Sequence, residues 1–294
     1  MRRPTLLAAG AVALAALEPF VEPHLPVLRR ASVPVLPPGR TPLRVLHLSD
    51  LHLSPGSWRR AGWVRRLARL EPHLVVSTGD HLSSYAALPL LTGIAAAFDC
   101  PGAFVPGNND YFTPIVPRPW TYVRGGPPLR RRQDLPWRDV AAALTAAGWT
   151  DLTHRRVRLP ALDLTLTGTD DGHLGRDRYR RVQGRVAGLA LGVTHTPQRR
   201  LLEAFGRDGH ALVLAGHTHG GQVRLPGLGP LVTNCDLPRP RARGLTRGPS
   251  SQGSAWLHVS AGLGTSPYAP VRLCCRPEAT LLDLVAGFAE DAVG

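Results

Sequence analysis

The sequence predicts an α/β fold, and three observations carry that expectation. Short apolar runs of strand length alternate with runs at helical spacing from residue 43 onward. The last third is richer in strand signals than in helix signals. Five polar clusters each stand directly after an apolar run, where loops at the carboxyl ends of strands present ligands in open α/β sheets.

The chain opens with Met1-Arg2-Arg3 and the apolar stretch Thr5 to Leu17, which has the shape of a signal-peptide start. The stretch is well short of the roughly 20 residues that a spanning helix needs, and Glu18 and Glu22 interrupt it. A cleaved signal, a membrane-dipping anchor and a helix packed on the domain all stand open. Peripheral membrane contact is the expectation, with a membrane-associated or exported location ahead of a cytoplasmic one. Residues 23–42, rich in Pro and Arg, read as an extended linker. The division expected is therefore 1–42 as apolar segment and linker, 43–286 as the working domain and 287–294 as a tail.

Within the domain, Arg44 to Ser49 reads as a strand, Trp58 to Leu70 as a helix and Leu74 to Ser77 as the next strand. Leu88 to Phe98 has helical spacing, Ala103 to Val105 is a strand, and Val140 to Ala147 is a helix. Residues 113–138 break the rhythm with repeated prolines around Arg130-Arg131-Arg132, a long loop of the kind that forms either a lid or a floppy insertion. Val157 to Leu159 and Leu162 to Thr167 read as a hairpin-like pair. Leu189 to Thr194 and Leu212 to Ala215 read as buried strands, and further strands are expected at Ala255 to Ser260, Val271 to Cys274 and Thr280 to Val285.

Composition sets limits. The 294 residues are 43% hydrophobic and 19% charged, an ordinary globular balance with no repeat period. The net charge is +14 with no lysine at all. Such a surface attracts anions, although base-composition bias of the coding genome gives the same arginine count. The arginines are scattered and form no basic stripe, so nucleic acid is not the expected partner. No Gly-x-Ser-x-Gly is present, which sets aside the serine hydrolases built on it. Cys100, Cys235, Cys274 and Cys275 have no C-x-x-C spacing, so a thiolate zinc site is not indicated; four buried thiols are expected, with one disulfide left open.

The chemistry lies in the strand-end clusters: Asp50-Leu51-His52, Gly79-Asp80, Gly107-Asn108-Asn109-Asp110, His195 and Gly216-His217-Thr218-His219. If the strands run parallel in one sheet, all five meet on one rim. Carboxylate, imidazole and amide oxygen together suit cations such as Zn, Mn or Fe. Asp50/His52 and His217/His219 are two apart, and in extended backbone such residues face one side. Asp50, His52, Asp80, Asn108, His195, His217 and His219 are too many ligands for one tetrahedral ion and suffice for two. Histidines 47, 73, 154, 173 and 210 receive no role, and Asp170-Asp171 in Thr-Asp-Asp-Gly reads as a turn.

The ordered series Asp-x-His, Gly-Asp, Gly-Asn-x-Asp, His and Gly-His-Thr-His resembles the calcineurin-like metallophosphoesterase family, over roughly Leu43 to Leu284. Gly216 to Val223, Gly262-Leu263-Gly264, Arg272 and Pro277-Glu278 are similar to the branch of small bacterial phosphoesterases that includes the YkuE and YaeI types. The resemblance implies a β-sandwich flanked by helices in four αββα layers. It implies two divalent ions, one held by Asp50, His52 and His219, the other by Asn108, His195 and His217, with Asp80 bridging and a hydroxide between the metals as nucleophile. One position departs: the family's Gly-Asn-His-Asp has Asn109 where a histidine handles the leaving oxygen. An amide can stabilise charge there but cannot deliver a proton near pH 7. The register that makes Asn109 the ligand in place of Asn108 also stands open, and Asp110 is expected to orient its neighbours.

The expected function is hydrolysis of a phosphoric ester, with phosphodiesters and lipid-linked or envelope pyrophosphate-type compounds as the substrate classes. The alternative is a weakly catalytic or inactive metal-binding module that recruits a partner, which Asn109 alone favours.

Overall fold

Two six-stranded sheets face each other in the computed structural model, which describes residues 17–115, 133–248 and 255–287. The first sheet runs β1 (Val27–Leu36), β14 (Glu278–Ala286), β2 (Leu43–Leu48), β3 (Leu74–Ser77), β4 (Gly102–Phe104) and β5 (Trp149–Asp151). The second runs β12 (Gly244–Arg247), β13 (Trp256–Val259), β9 (Leu212–Ala215), β8 (Ala190–Val193), β7 (Leu164–Gly168) and β6 (Arg155–Leu159). A small hairpin, β10 (Arg224–Leu225) and β11 (Gly229–Pro230), stands apart. β2 to β5 are parallel, as are β7, β8, β9 and β13.

Alternation along the strands builds the layers. In β2, Val45 faces the second sheet while Leu46 and Leu48 face outward. In β9, Leu212 and Leu214 face inward while Val213 and Ala215 face outward. The outward side of the first sheet is covered by α1 (Trp58–Arg66), α2 (Leu88–Ala95) and α3 (Trp137–Ala146), through residues such as Val64, Leu91 and Leu144. The outward side of the second is covered by α4 (Arg199–Arg207), through Leu202 and Phe205. The result is the expected four-layer α/β arrangement. Each inward leucine or valine removed from water contributes about 1.5–3 kcal/mol, and together they fix how the two rows of strand ends meet.

Several expectations are corrected. The clusters arise from two facing sheets and not from one: β2, β3 and β4 belong to the first, β8 and β9 to the second. The segment read as a linker is strand β1, paired parallel with β14. Pro34 suggested otherwise, but an edge strand tolerates a residue without an N–H, and the register shifts between Pro34 and Leu36. Val271 to Cys274 is not a strand and keeps only a bridge from Leu273 to Val223. Strands β5 and β12 and helix α4 were not anticipated.

The expected loop at 113–138 lies largely in 116–132, outside the described residues, but its ends are joined. The N–H and hydroxyl of Thr113 both donate to Asp134, at 2.7 and 2.6 Å. The N-terminal stretch Thr5 to Leu17 lies almost wholly outside the described residues. Just after it, Pro19 accepts from the N–H of Arg272 and Glu22 accepts from that of Cys275, so this part packs on the domain. No helix among the described residues is long and apolar enough to cross a membrane. The four cysteines are free thiols, but only Cys275 is buried: Cys100 and Cys235 are half-buried and Cys274 is exposed, against the expectation of four buried thiols.

Candidate metal centre

Each candidate follows its strand. Asp50 and His52 lie beyond β2, Asp80 beyond β3, Asn108 to Asp110 beyond β4, His195 beyond β8, and His217 and His219 beyond β9. All seven predicted ligands meet, in two adjoining groups.

In the first group the ligand atoms of Asp50, His52, Asp80 and His219 lie within 4.8 Å of one another. His52 Nε2 is 3.4 Å from Asp80 Oδ2 and 3.4 Å from His219 Nε2, and His219 Nε2 is 3.5 Å from Asp50 Oδ1. In the second, Asn108 Oδ1 lies 3.2 Å from His195 Nε2 and 3.1 Å from His217 Nδ1, with the two imidazole nitrogens 3.2 Å apart. Asp80 stands between the groups: its Oδ1 is 3.5 Å from His195 Nε2 while its Oδ2 faces His52.

The backbone is forced into this shape. Asp50, His52, Asp80, His217 and His219 have φ of 49°, 43°, 55°, 69° and 49°. Left-handed backbone is uncommon for residues with a Cβ and costs of order 1–3 kcal/mol at each. The i, i+2 pairs thus converge through left-handed turns and not through extended backbone, and His217 and His219 serve different groups. Close approach adds a further demand at Gly107, where a Cβ would stand 2.2 Å from Asp80 Oδ1 and 2.8 Å from His195 Cε1.

Three imidazoles spend one nitrogen on a backbone carbonyl. His219 Nδ1 donates to Gly264 at 3.1 Å, His195 Nδ1 to Thr78 at 2.6 Å and His217 Nε2 to Asn234 at 3.2 Å. The opposite nitrogen then faces the centre, which is how ligand histidines are oriented. Burial keeps His52, His217 and His219 on the neutral side. His217 is lowered to about 3, with His195 and His173 adding to the effect, and His219 falls well below the usual range, with His52 and Arg272 adding. Burial opposes charge on Asp80 as well, but His195, His52 and the hydrogen bond from Asn109 outweigh it and hold the carboxyl well below its usual range.

These residues fit divalent cations. Asp50 Oδ1 is buried with no hydrogen-bond partner, yet it points at the first group. The ring nitrogens of His52 and His219 face each other at 3.4 Å, a separation that a shared proton or a bound cation can fill. Convergent buried acceptors without donors cost free energy until a cation fills the gap.

Asn109 and Asp110 lie at the same place with different partners. Asn109 donates to both oxygens of Asp80, from its N–H at 2.8 Å and its side-chain amide at 2.7 Å. Asp110 is buried and accepts from the N–H groups of Asp80, His81 and Gly107 and from His81 Nδ1, at 2.8–2.9 Å. It ties the turn after β3 to the turn after β4. Asp171 caps its own turn by accepting from Leu174 N–H, and Asp170 accepts from the Tyr111 hydroxyl.

Other residues around the centre were given no role at the site from the sequence, although Arg272 belongs to the resemblance. His173, given no role, has its ring 4.9 Å from that of His217. Arg272 is fully buried and donates to the carbonyls of Ala261, Gly262, Gly264 and Cys275 behind His219. Ser49 and Thr78 hydrogen-bond each other and reach Asp50. The available signal was a hydroxyl residue just before each strand-end acidic cluster, Ser49-Asp50 and Thr78-Gly79-Asp80.

The family model for calcineurin-like phosphoesterases matches residues 43–221. Among curated proteins, the uncharacterized metallophosphoesterase YkuE of Bacillus subtilis is 26% identical over 281 residues, covering 90% of this chain and 87% of that protein. The phosphodiesterase YaeI of Escherichia coli is 27% identical, covering 90% and 91%. A transmembrane protein with metallophosphoesterase domain from Bos taurus is 30% identical over 89% of this chain, which spans 57% of that longer protein.

Proposed function

Because the chain belongs to the calcineurin-like phosphoesterase family and is a phosphoric ester hydrolase, we propose that it is a phosphodiesterase working with two divalent ions. Asp50, His52 and His219 would hold one ion, Asn108, His195 and His217 the other, and Asp80 would serve both. The observation that carries this reading is Asp80 with one oxygen turned to each group. When bound, two such ions acidify a water and neutralise phosphate oxygens.

The chain's own residues do the rest. Gly264, Thr78 and Asn234 fix the histidine tautomers through their carbonyls. Asp110 holds the turn that carries Asp80, and Asn109 holds both of its oxygens. An amide is no acid near pH 7, so Asn109 has no proton to give a departing oxygen. Substrates with good leaving groups suit such a site, and diesters or pyrophosphate-type esters fit better than simple alkyl monoesters. Ions are drawn from Mn, Zn and Fe by the mixed nitrogen and oxygen ligand set. A lipid-linked or envelope phosphate is the substrate class we favour. A net charge of +14 is attracted to anionic surfaces, and one relative carries this domain in a transmembrane protein.

The test is hydrolysis of bis-p-nitrophenyl phosphate by protein stripped of metal and resupplied with Mn²⁺, Zn²⁺ or Fe²⁺, beside His217→Ala. Metal-dependent turnover that is lost in the variant supports the reading. Two bound ions with no turnover on this or a pyrophosphate-linked substrate would leave the recruitment module in its place.

A further inference from the structure

At one end the layer between the sheets is polar. His47 follows Val45 on the inward face of β2, and His258 follows Trp256 on the inward face of β13. Both rings are buried, and their Nδ1 atoms are 2.8 Å apart. From this pair a series of contacts leads to the metal centre. His47 Nε2 lies 3.0 Å from Thr78 Oγ1, Thr78 Oγ1 lies 2.6 Å from Ser49 Oγ, and Ser49 Oγ lies 2.5 Å from Asp50 Oδ2.

The direction of each bond follows from counting protons. A carboxylate only accepts, so the single hydroxyl proton of Ser49 goes to Asp50. Ser49 Oγ therefore accepts from Thr78. Thr78, its own proton spent, accepts from His47 Nε2–H. Burial, and then His258, hold His47 well below the usual imidazole range, so its ring is neutral at pH 7. Its Nδ1 is then bare and accepts from His258 Nδ1–H. Burial lowers His258 to about 4, so this ring too is neutral.

We propose that His258, His47, Thr78 and Ser49 form a one-way hydrogen-bond chain that holds Asp50 by Oδ2 and leaves Oδ1 as its single cation-binding oxygen. The inference rests on the reading of Asp50 as a metal ligand. Oδ2 takes a second donor, the N–H of His217 at 3.1 Å, whereas Oδ1 has none. Aligned bonds in a buried chain polarise one another in the same sense. Room for the last link depends on Gly216, where a Cβ would stand 1.8 Å from Ser49 Oγ and 2.6 Å from Asp50 Oδ2. Thr78 supports the second group as well, but through its carbonyl to His195. Changing its side chain therefore acts on Asp50 and spares the His195 bond.

Two measurements on the full chain test this. Long-range ¹H–¹⁵N spectra of metal-free protein report which nitrogen of each histidine carries the proton. Titration calorimetry with Zn²⁺ alone reports both sites in the wild type, Thr78→Val and Thr78→Ser. The expected result is His47 protonated at Nε2 and His258 at Nδ1, with Thr78→Val weakening one of the two sites roughly 10–100-fold and Thr78→Ser restoring it. His47 protonated at Nδ1 in the wild type would overturn the chain, whatever the variants do. Wild-type affinity at both sites in a folded Thr78→Val would overturn its effect on Asp50. Failure of the wild type to bind Zn²⁺, Mn²⁺ or Fe²⁺ would sink the metal reading instead, and the spectra would still decide the chain.

Discussion

Asn109 is bound to Asp80 at both carboxylate oxygens, through its N–H at 2.8 Å and its side-chain amide at 2.7 Å. The family's histidine at this place would face the substrate, whereas this amide faces inward and fixes the residue shared by the two ligand groups. Asn109→Ala keeps the backbone bond and loses a charge-assisted one worth about 1.5–3 kcal/mol. Metal affinity by calorimetry should fall about 10–100-fold, with turnover falling alongside it. Unchanged affinity and turnover would mean that the amide holds nothing that matters.

An amide at position 109 cannot deliver a proton to the departing oxygen. Rates should therefore depend steeply on the leaving group. Across a series of aryl and alkyl methyl phosphodiesters, p-nitrophenyl esters should be cleaved readily. Alkyl esters should lag by the order of 10²–10⁴ that general-acid catalysis typically supplies. A shallow dependence would reveal another donor at the site, and His173, beside the His217 ring, would be the first residue to replace.

Asp80 is the residue that both groups need. Asp80→Ala should abolish hydrolysis and lower metal content below two ions per chain, measured by elemental analysis after gel filtration. Asp80→Asn keeps the volume but removes the charge and leaves only one of the two acceptors for Asn109, and should fail nearly as badly. Two ions per chain and full turnover in Asp80→Ala would end the bridging role.

How much of this was legible in the sequence depends on the range of the signal. Strands β2, β3, β8 and β9 are short apolar runs followed within three residues by Asp50, Asp80, His195 and His217, so chain order alone singled out candidates that the fold brings together. The separation into two sheets was not legible. Pairing order depends on contacts such as β14 lying between β1 and β2, far apart in sequence. Strand β1 was hidden by Pro34 and its arginines, which an edge position tolerates and a central one would not. Helix α4 had a readable face in Leu201, Leu202 and Phe205, which the short gap between two strands masked. The supports of the centre were hidden for another reason. His47 and His258 are 211 residues apart, and each alone looks like any packed histidine.

That histidine pair also makes stability depend on pH. His258 is lowered to about 4 in the fold by burial, and His47 lies well below 6.5, so the unfolded chain takes up protons first as pH falls. The folded state is then favoured fully above pH 6.5 and loses that advantage between 6.5 and about 4. From the shift of His258 alone the loss between pH 7.5 and pH 5 is about 2 kcal/mol. Urea unfolding of metal-free protein should show it, and His258→Leu should flatten the slope by about that amount. His210, also lowered to about 4 by burial, acts in the same direction, whereas His195, which burial pushes down but Asp80 holds well above the usual imidazole range, acts in the opposite one. A slope in His258→Leu as steep as in the wild type would mean that the pair does not carry this dependence.

Arg272 poses the converse case of a buried cation that, among the described residues, makes no ion pair with a carboxylate. Its guanidinium is fully buried, and its two terminal nitrogens donate to carbonyls, at 2.8 Å to Ala261, 2.8 Å to Gly264, 3.2 Å to Gly262 and 3.0 Å to Cys275, while its Nε has no hydrogen-bond partner among the described residues. Burial lowers its pKa, but the ring of carbonyl dipoles supplies what water would have given. Gly264 also accepts from His219 Nδ1, so the loop held by Arg272 is the loop that orients His219. Arg272→Met fills the volume and strands several carbonyls, and should destabilise the fold by about 3–5 kcal/mol, as other broken buried polar networks do. Arg272→Lys keeps the charge but reaches fewer acceptors, so it should fold less stably than the wild type and bind the ion at His219 more weakly than the ion at His217. Thermal unfolding with and without Zn²⁺ separates the two effects. Equal loss of affinity at both sites would place the role of Arg272 in the fold at large and not behind His219.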